Sequence, residues 1–341
     1  MINAVYQLVS PRMIEVAYKE IDLTAGEVIM RPYKVSVCKA DQRYYQGTRP
    51  VEVMAEKLPM ALIHEGIGEV VYDSRNEFKV GEAVIMIPNT PTEVDEVIAE
   101  NYLQSSKFRA SGFDGFMQEQ IAMDRDRLVR LPDSVDKNIA AFTELVSVSV
   151  HALRRFDSIA HSRREVVGIW GDGNLGYITA IFFKTMFPET KLVIFGVDYE
   201  KLLRFAFADE TYTVGNVPAD LMVDHAFECV GGEASQKAIS QIIDHINPEG
   251  TLSILGVSEY PVPINTRMVL EKGLRLFGSS RSGKADFEKV VELYLSNPEI
   301  VSYLSNIVGA VVNVRTIEDM KRAFELDNHN NMGKVIMHWN K

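Results

Sequence analysis

Two groups of residues in this chain have the types and spacing to do chemistry. The first is Gly171-Asp172-Gly173-Asn174-Leu175-Gly176. Val166-Val167-Gly168-Ile169-Trp170 before it reads as a buried strand, and the apolar stretch from Tyr177 to Phe187 after it reads as a helix. In that setting Gly171 makes a tight turn, Gly173 lets the backbone approach a pyrophosphate, and Gly176 lets helix and strand pack closely. The helix start at Asn174 and Leu175 then offers unpaired N–H groups and a positive dipole end to an anion. The second group is Cys38, His64, Glu65 and Glu144. A thiolate, an imidazole and carboxylates suit Zn²⁺ in a four-coordinate site. They are far apart in sequence, so only a fold can gather them. Taken alone, Cys38 also reads as a small buried hydrophobe, His64 as a core residue, and Glu65 and Glu144 as surface or capping groups.

The strand that must follow the glycine turn says which dinucleotide to expect. Lys191-Leu192-Val193-Ile194-Phe195-Gly196 is short and apolar, and it ends on glycine where an NAD site wants a carboxylate for the ribose 2′-OH. A missing carboxylate removes repulsion against a 2′-phosphate, and Lys201 and Arg204 follow with positive charge. This favours NADPH over NADH and predicts that Gly196→Asp shifts the preference toward NADH. The alternative gives Asp198 the ribose role and leaves Lys201 and Arg204 on a solvated face.

Composition bounds the rest. The 341 residues are 46% hydrophobic and 24% charged, an ordinary globular balance for two domains. A net charge of −11 disfavours nonspecific nucleic-acid binding. No apolar run is long enough for a membrane span, and no basic segment followed by an apolar stretch opens the chain. The two cysteines, Cys38 and Cys229, give no reason for pairing, so a reducing cytoplasmic setting is expected.

The elements that would hold these groups change character along the chain. The first ~145 residues carry short Val/Ile runs broken by Gly and Pro, the texture of a β-rich domain. From Glu165 strands and helices alternate: strand 166–170, helix 174–187, strand 191–196, helix 199–208, strand 224–229, helix 233–245, strand 251–256, strand 275–278 and helix 286–296. Such alternation predicts a parallel sheet with helices on both faces. Ile317 to Asp327 reads as a helix and Lys334 to His338 as a strand, returning to the first domain.

In order along the chain, Val37-Cys38-Lys39-Ala40-Asp41, Ile63-His64-Glu65-Gly66-Ile67-Gly68-Glu69-Val70-Val71, Thr143-Glu144-Leu145-Val146, the glycine turn and Phe227-Glu228-Cys229-Val230-Gly231-Gly232 resemble the zinc-dependent medium-chain alcohol and polyol dehydrogenases over essentially the whole length. The resemblance implies an α/β fold: a GroES-like β-rich catalytic domain, 1–147 and 284–341, and a Rossmann doubly wound parallel-sheet domain, 148–283. It implies that Cys38, His64, Glu65 and Glu144 hold one catalytic zinc, with Asp41 orienting a ligand from behind. Two departures stand out. Relatives often carry four close cysteines for a structural zinc, whereas no cysteine lies between Pro88 and Gly115, so that second zinc is not expected. Where relatives have Ser or Thr two residues after the ligand cysteine this chain has Ala40, and where alcohol dehydrogenases often have His five residues after it this chain has Arg43. The usual hydroxyl–histidine proton relay is therefore not expected to operate in its usual form.

Within that family, Cys38 to Tyr45, Pro88 to Glu93, Gly168 to Tyr177 and Gly278 to Gly283 resemble the ribulose-5-phosphate reductase branch. The resemblance implies NADPH-dependent reduction of D-ribulose 5-phosphate to D-ribitol 5-phosphate, with zinc polarising the C2 carbonyl. It further implies supply of ribitol 5-phosphate to a cytidylyltransferase for wall teichoic acid or capsule, and a homodimer by analogy. A phosphosugar needs a cation, for which Arg43 leads and Lys39 and Arg109 follow. Arg281 is expected either to touch cofactor phosphate or to cap a loop. Three rivals remain: an NAD-dependent zinc polyol dehydrogenase on an unphosphorylated sugar alcohol, a zinc-free reductase of the quinone type, and a nucleotide-sensing protein without catalysis.

Overall fold

A computed structural model of the chain describes residues 1–23, 27–330 and 332–341. Contacts divide it into two units, Met1–Ser147 with Ser282–Lys341, and Val148–Arg281.

The first unit is built on sheets. Ile2–Ser10 pairs antiparallel with Met13–Glu20 and with Met60–Ala61. A larger sheet runs in the order Leu128–Arg130, Ala83–Met86, Glu65–Asp73, Val28–Ser36, Lys334–Trp339, Val308–Val314, with Ile121–Met123 also on Val28–Ser36. Val28–Ser36 is the hub. Its register against Glu65–Asp73 shifts between Pro32 and Lys34, because proline has no N–H to give the ladder. Beyond the shift Ser36 pairs with Glu65 and Ile336 with Ser36. Glu65 and the start of the last strand are thereby brought to one end of the sheet, next to Cys38. The core beneath includes Val35, Val37, Leu62, Phe116, Phe324 and Met337.

The second unit is a parallel sheet in the order Glu210–Thr213, Lys191–Gly196, Val166–Trp170, Val223–Glu228, Ile246–Ile254, Arg275–Gly278. In chain order this is 3-2-1-4-5-6, the doubly wound dinucleotide arrangement. Two of its inner strands, Val166–Trp170 and Lys191–Gly196, are near-continuous apolar runs, as burial on both faces requires. Trp170 stacks on Phe195 with ring centroids 3.8 Å apart.

The strand Glu210–Thr213 and the helix Thr266–Glu271 are not expected from the sequence, and some expected elements have other bounds. The helix expected over 199–208 stops at Leu202, because Phe205 turns inward to meet Tyr177 edge-on at 5.1 Å. The strand expected from 251 begins at Ile246. Its register jumps from Val223↔Ile246 to His225↔Thr251, which leaves Pro248 out of the ladder and puts Glu249 at φ 61°. The helix expected from 286 starts at Lys284, where Asp286 caps the N–H of Gly283.

Candidate metal centre and nucleotide cleft

Cys38 follows the hub strand and is the N-cap of the helix Lys39–Gln46. His64 and Glu65 open the strand Glu65–Asp73, and the chain enters it through a strained residue. Ile63 has φ 72°, a conformation that a β-branched side chain avoids and that costs about 1–3 kcal/mol. It is held there from two sides. Its N–H donates to Asp41 Oδ1 at 3.0 Å, and its carbonyl accepts from Phe116 N–H at 2.7 Å. A Cβ on Gly115 would lie 2.2 Å from that carbonyl, so glycine is required beside it.

The strain aims His64. Cys38 Sγ, a ring nitrogen of His64 and a carboxylate oxygen of Glu65 all lie within 4.8 Å of one another. His64 Nδ1 faces Asp41 Oδ2 at 3.3 Å, and both side chains are buried. The ring also packs against Phe108 with centroids 5.4 Å apart. His64 Nδ1 and Asp41 Oδ2 face each other without a well-formed hydrogen bond. Sulfur, nitrogen and oxygen converging on one point with polar capacity to spare fit a divalent cation.

Sequence reasoning missed the residue behind Glu65. Lys334 opens the strand Lys334–Trp339 and is 3% exposed. Its Nζ donates to the Val37 carbonyl at 2.8 Å and to Glu65 Oε1 at 2.9 Å, with Oε2 at 2.8 Å. A lysine leading an otherwise apolar strand was the only signal in the sequence. Burial alone would pull its pKa down, but Glu65 and Cys38 outweigh that and raise it. Burial likewise lowers His64, yet Asp41 and Cys38 carry it well above the ordinary histidine value. Burial pushes the Cys38 thiol up, against the pull of His64.

Glu144 lies buried in the first turn of the helix Thr143–Ile159. It is outside the Cys38–His64–Glu65 group but within its field. Burial first, and then repulsion from Glu65, push its pKa up to about 7, against the pull of His64. Of the three cations considered for a phosphate, Lys39 pairs with Asp327 at 2.9 Å and with its carbonyl at 3.0 Å. The Arg109 guanidinium donates to the carbonyls of Ala122 at 2.8 Å and Asp114 at 3.3 Å, so local structure already uses it. Arg43 is half-buried on the same helix as Asp41.

In the second unit the glycine turn behaves as its spacing predicts. Gly171 has φ 131°, and a Cβ there would lie 2.9 Å from the Cys229 backbone. A Cβ on Gly176 would lie 1.9 Å from the Gly171 carbonyl. A Cβ on Gly173 would meet no protein atom within 4 Å, so it would enter the open space that a pyrophosphate needs. Gly173 is the N-cap of the helix Asn174–Met186, which opens on Asn174 and Leu175. The turn borders a cleft of about 410 Å³ lined by Trp170, Gly173, Gly196, Val214, Lys237 and Gln241 among others. The residues present therefore fit a dinucleotide.

Gly196 has a cause the sequence did not show. The Asp172 carboxylate folds across the strand end, and its Oδ2 accepts from the N–H groups of Val197 and Asp198, both at 2.8 Å. A Cβ on Gly196 would lie 2.7 Å from Asp172 Cβ and Oδ2 and 2.9 Å from Leu202. A side chain at Gly196 would have to displace the Asp172 and Leu202 side chains, so Gly196→Asp is expected to disturb packing as well as cofactor preference. Asp198, the alternative ribose partner, caps the helix Tyr199–Leu202, with Oδ1 accepting from Glu200 N–H at 3.0 Å and Lys201 N–H at 3.4 Å. Lys201, Arg204 and Arg281 are not among the residues lining the cleft. Arg281 instead sits at φ 58° after the strand Arg275–Gly278.

Residues 24–133 match the alcohol dehydrogenase GroES-like domain, and residues 207–296 match the zinc-binding dehydrogenase domain. The chain is 54% identical over 339 residues to ribulose-5-phosphate reductase 1 of Staphylococcus aureus (strain NCTC 8325 / PS 47), covering 99% of each. The chain belongs to the ribulose-5-phosphate reductase family of zinc-binding dehydrogenases. A ribulose-5-phosphate reductase of Bacillus spizizenii is 53% identical, again with 99% of each chain covered. A crystal structure of S. aureus TarJ in complex with NADPH superposes with a TM-score of 0.90 at 49% identity, covering 100% of both chains. Among the described residues, no helix is long and apolar enough to cross a membrane.

Proposed function

We propose that this protein is a zinc-dependent, NADPH-linked reductase that converts D-ribulose 5-phosphate to D-ribitol 5-phosphate. The observation that carries the reading is the convergence of Cys38, His64 and Glu65 within 4.8 Å in a chain 54% identical to a ribulose-5-phosphate reductase. Zinc supplies a Lewis acid for the C2 carbonyl, and NADPH supplies the hydride.

The chain's own residues do the rest. Cys38 and His64 are the firm ligands of the single zinc. Asp41 takes His64 Nδ1, which fixes the ring and leaves Nε2 for the ion. Glu65 and Glu144 are the two oxygen donors available, and Lys334 restrains Glu65 by holding both its oxygens. One of the two, Glu65 or Glu144, would exchange with water or substrate. Ala40 has no hydroxyl to relay a proton, so the proton comes from solvent or from a substrate hydroxyl. Arg43 is the proposed grip on the substrate phosphate. Residues 1–147 and 284–341 form the catalytic domain and 148–283 the nucleotide domain, with Gly171, Gly173, Asn174, Leu175 and Gly176 cradling the pyrophosphate. The enzyme works in the cytoplasm as a homodimer and hands its product to a ribitol-5-phosphate cytidylyltransferase.

Absorbance near ~340 nm, where reduced nicotinamide is followed, tests the reading with both cofactors and a panel of ketoses and their phosphates. NADPH oxidation with ribulose 5-phosphate, slow with ribulose, supports it. Turnover only with NADH and an unphosphorylated ketose replaces it with the polyol dehydrogenase. Arg43→Ala is expected to raise KM for the phosphorylated ketose alone; equal loss on ribulose removes Arg43 from the phosphate site.

A further inference from the structure

The cleft beside the glycine turn holds an unexplained cation. Asp172 and Lys237 are the only charged residues lining it. The Asp172 carboxylate turns Oδ2 to the N–H groups of Val197 and Asp198, so that oxygen is held by the protein. On the opposite wall the Gln241 side chain is also committed. Its Oε1 accepts from Trp170 Nε1–H at 2.9 Å, and its Nε2–H donates to the Val214 carbonyl at 2.9 Å. What remains for a ligand is largely apolar surface, the other Asp172 oxygen and, as the one cation among the described lining residues, the Lys237 ammonium group. Lys237 is exposed, and among the described residues its side chain makes neither an ion pair nor a hydrogen bond.

Its place in the helix argues that packing did not select it. Lys237 is the third residue of the helix Ser235–His245, whose first turn has no acidic residue and no side-chain cap. A cation near a helix N-terminus opposes the dipole. A residue that breaks a local rule without a structural gain marks a functional position.

We propose that Lys237 grips the 2′-phosphate of the cofactor's adenosine half and is the residue that selects NADPH over NADH. The inference rests on the NADPH reading above. It moves the selecting charge from Lys201, in the helix Tyr199–Leu202, and Arg204 just after it, to the helix Ser235–His245. An ammonium group meeting a phosphate dianion makes charge-assisted hydrogen bonds that a 2′-hydroxyl cannot match.

Direct binding decides it, with no turnover needed. Dissociation constants for NADPH, NADH and 2′,5′-ADP are measured by calorimetry on the full-length wild-type protein and on Lys237→Met, Lys237→Arg and Lys201→Met. Lys237→Met is expected to weaken NADPH and 2′,5′-ADP about 10- to 100-fold and to leave NADH within about twofold, while Lys237→Arg retains the preference. Equal weakening of NADPH and NADH, or no weakening of either, overturns the role. So does loss of the preference in Lys201→Met alone. Wild-type protein that binds NADH as tightly as NADPH overturns the NADPH reading itself, a result read before any variant is made. The melting temperature of each variant confirms that folding is intact.

Discussion

The buried Lys334–Glu65 pair makes a sharp quantitative prediction. Lys334 Nζ stands 2.9 Å and 2.8 Å from the two carboxylate oxygens, and the side chains are 4% and 0% exposed. At an effective dielectric of ~20, opposite charges at that distance attract by about 6 kcal/mol, before desolvation is counted. Breaking one side of a buried pair costs about 3–5 kcal/mol, because it strands the other charge. Lys334→Met also loses the bond to the Val37 carbonyl, worth about 1 kcal/mol. The expected loss is about 4 kcal/mol in metal-free protein. Glu65→Gln alone strands the lysine at comparable cost. The double variant, with neither charge, should lose only about 1–2 kcal/mol, which makes the coupling between the two sites about 6 kcal/mol. The chain offers a local reporter, since its two tryptophans are Trp170 and Trp339. Trp339 is buried and ends the strand that Lys334 opens. In a Trp170→Phe background, urea unfolding followed by Trp339 fluorescence reads the unit that holds the pair. The four proteins of the cycle are compared in chelator, so that metal binding does not contribute. If the single losses add to within about 0.5 kcal/mol of the double, the pair is not an energetic unit and the role given to Lys334 is wrong.

The two glycines of the nucleotide turn should separate folding from binding. Gly173→Ala puts its Cβ in open space, so the melting temperature holds within about 2 °C while NADPH affinity, followed by fluorescence titration, falls about tenfold or more. Gly176→Ala, 1.9 Å from the Gly171 carbonyl, should lose both stability and binding. Gly196→Asp places a second carboxylate on Asp172; reduced melting temperature is expected, and a stable enzyme with gained NADH affinity would contradict the packing argument. His225 supplies a pH dependence. Its Nδ1 accepts from Thr251 N–H at 3.1 Å and its Nε2 meets the Arg163 carbonyl at 3.0 Å, a pattern only the neutral ring satisfies. Burial, and then His161, press its pKa down to about 4. A depressed histidine stabilises the fold fully above its unfolded value near ~6.5, and that stability is lost as pH falls through the folded value. The shift corresponds to about 3 kcal/mol. Urea unfolding of wild-type and His225→Gln from pH 7.5 to 4 should show the wild-type slope flattened in the variant; identical slopes would assign the acid sensitivity elsewhere.

The glycine turn, the alternating strands around it and the types of the metal-binding residues were legible in the sequence, because each is a local pattern. A tight turn demands glycine, a strand buried on both faces demands an apolar run, and a zinc ligand demands sulfur, nitrogen or oxygen. What no local pattern carries is which distant side chain stands behind a chosen residue. Lys334 reaches Glu65 because the last strand pairs with Val28–Ser36, next to the strand that Glu65 opens. Ile63 is strained because Asp41 and Phe116 hold it from two separate segments. Gly196, read from the sequence as a mark of cofactor choice, also leaves room for the Asp172 side chain. Lys237, a surface lysine by composition, becomes notable only as the cation lining a largely apolar cleft. Residue type and spacing set the available chemistry; tertiary neighbours, through burial and paired charge, decided which residues can exercise it.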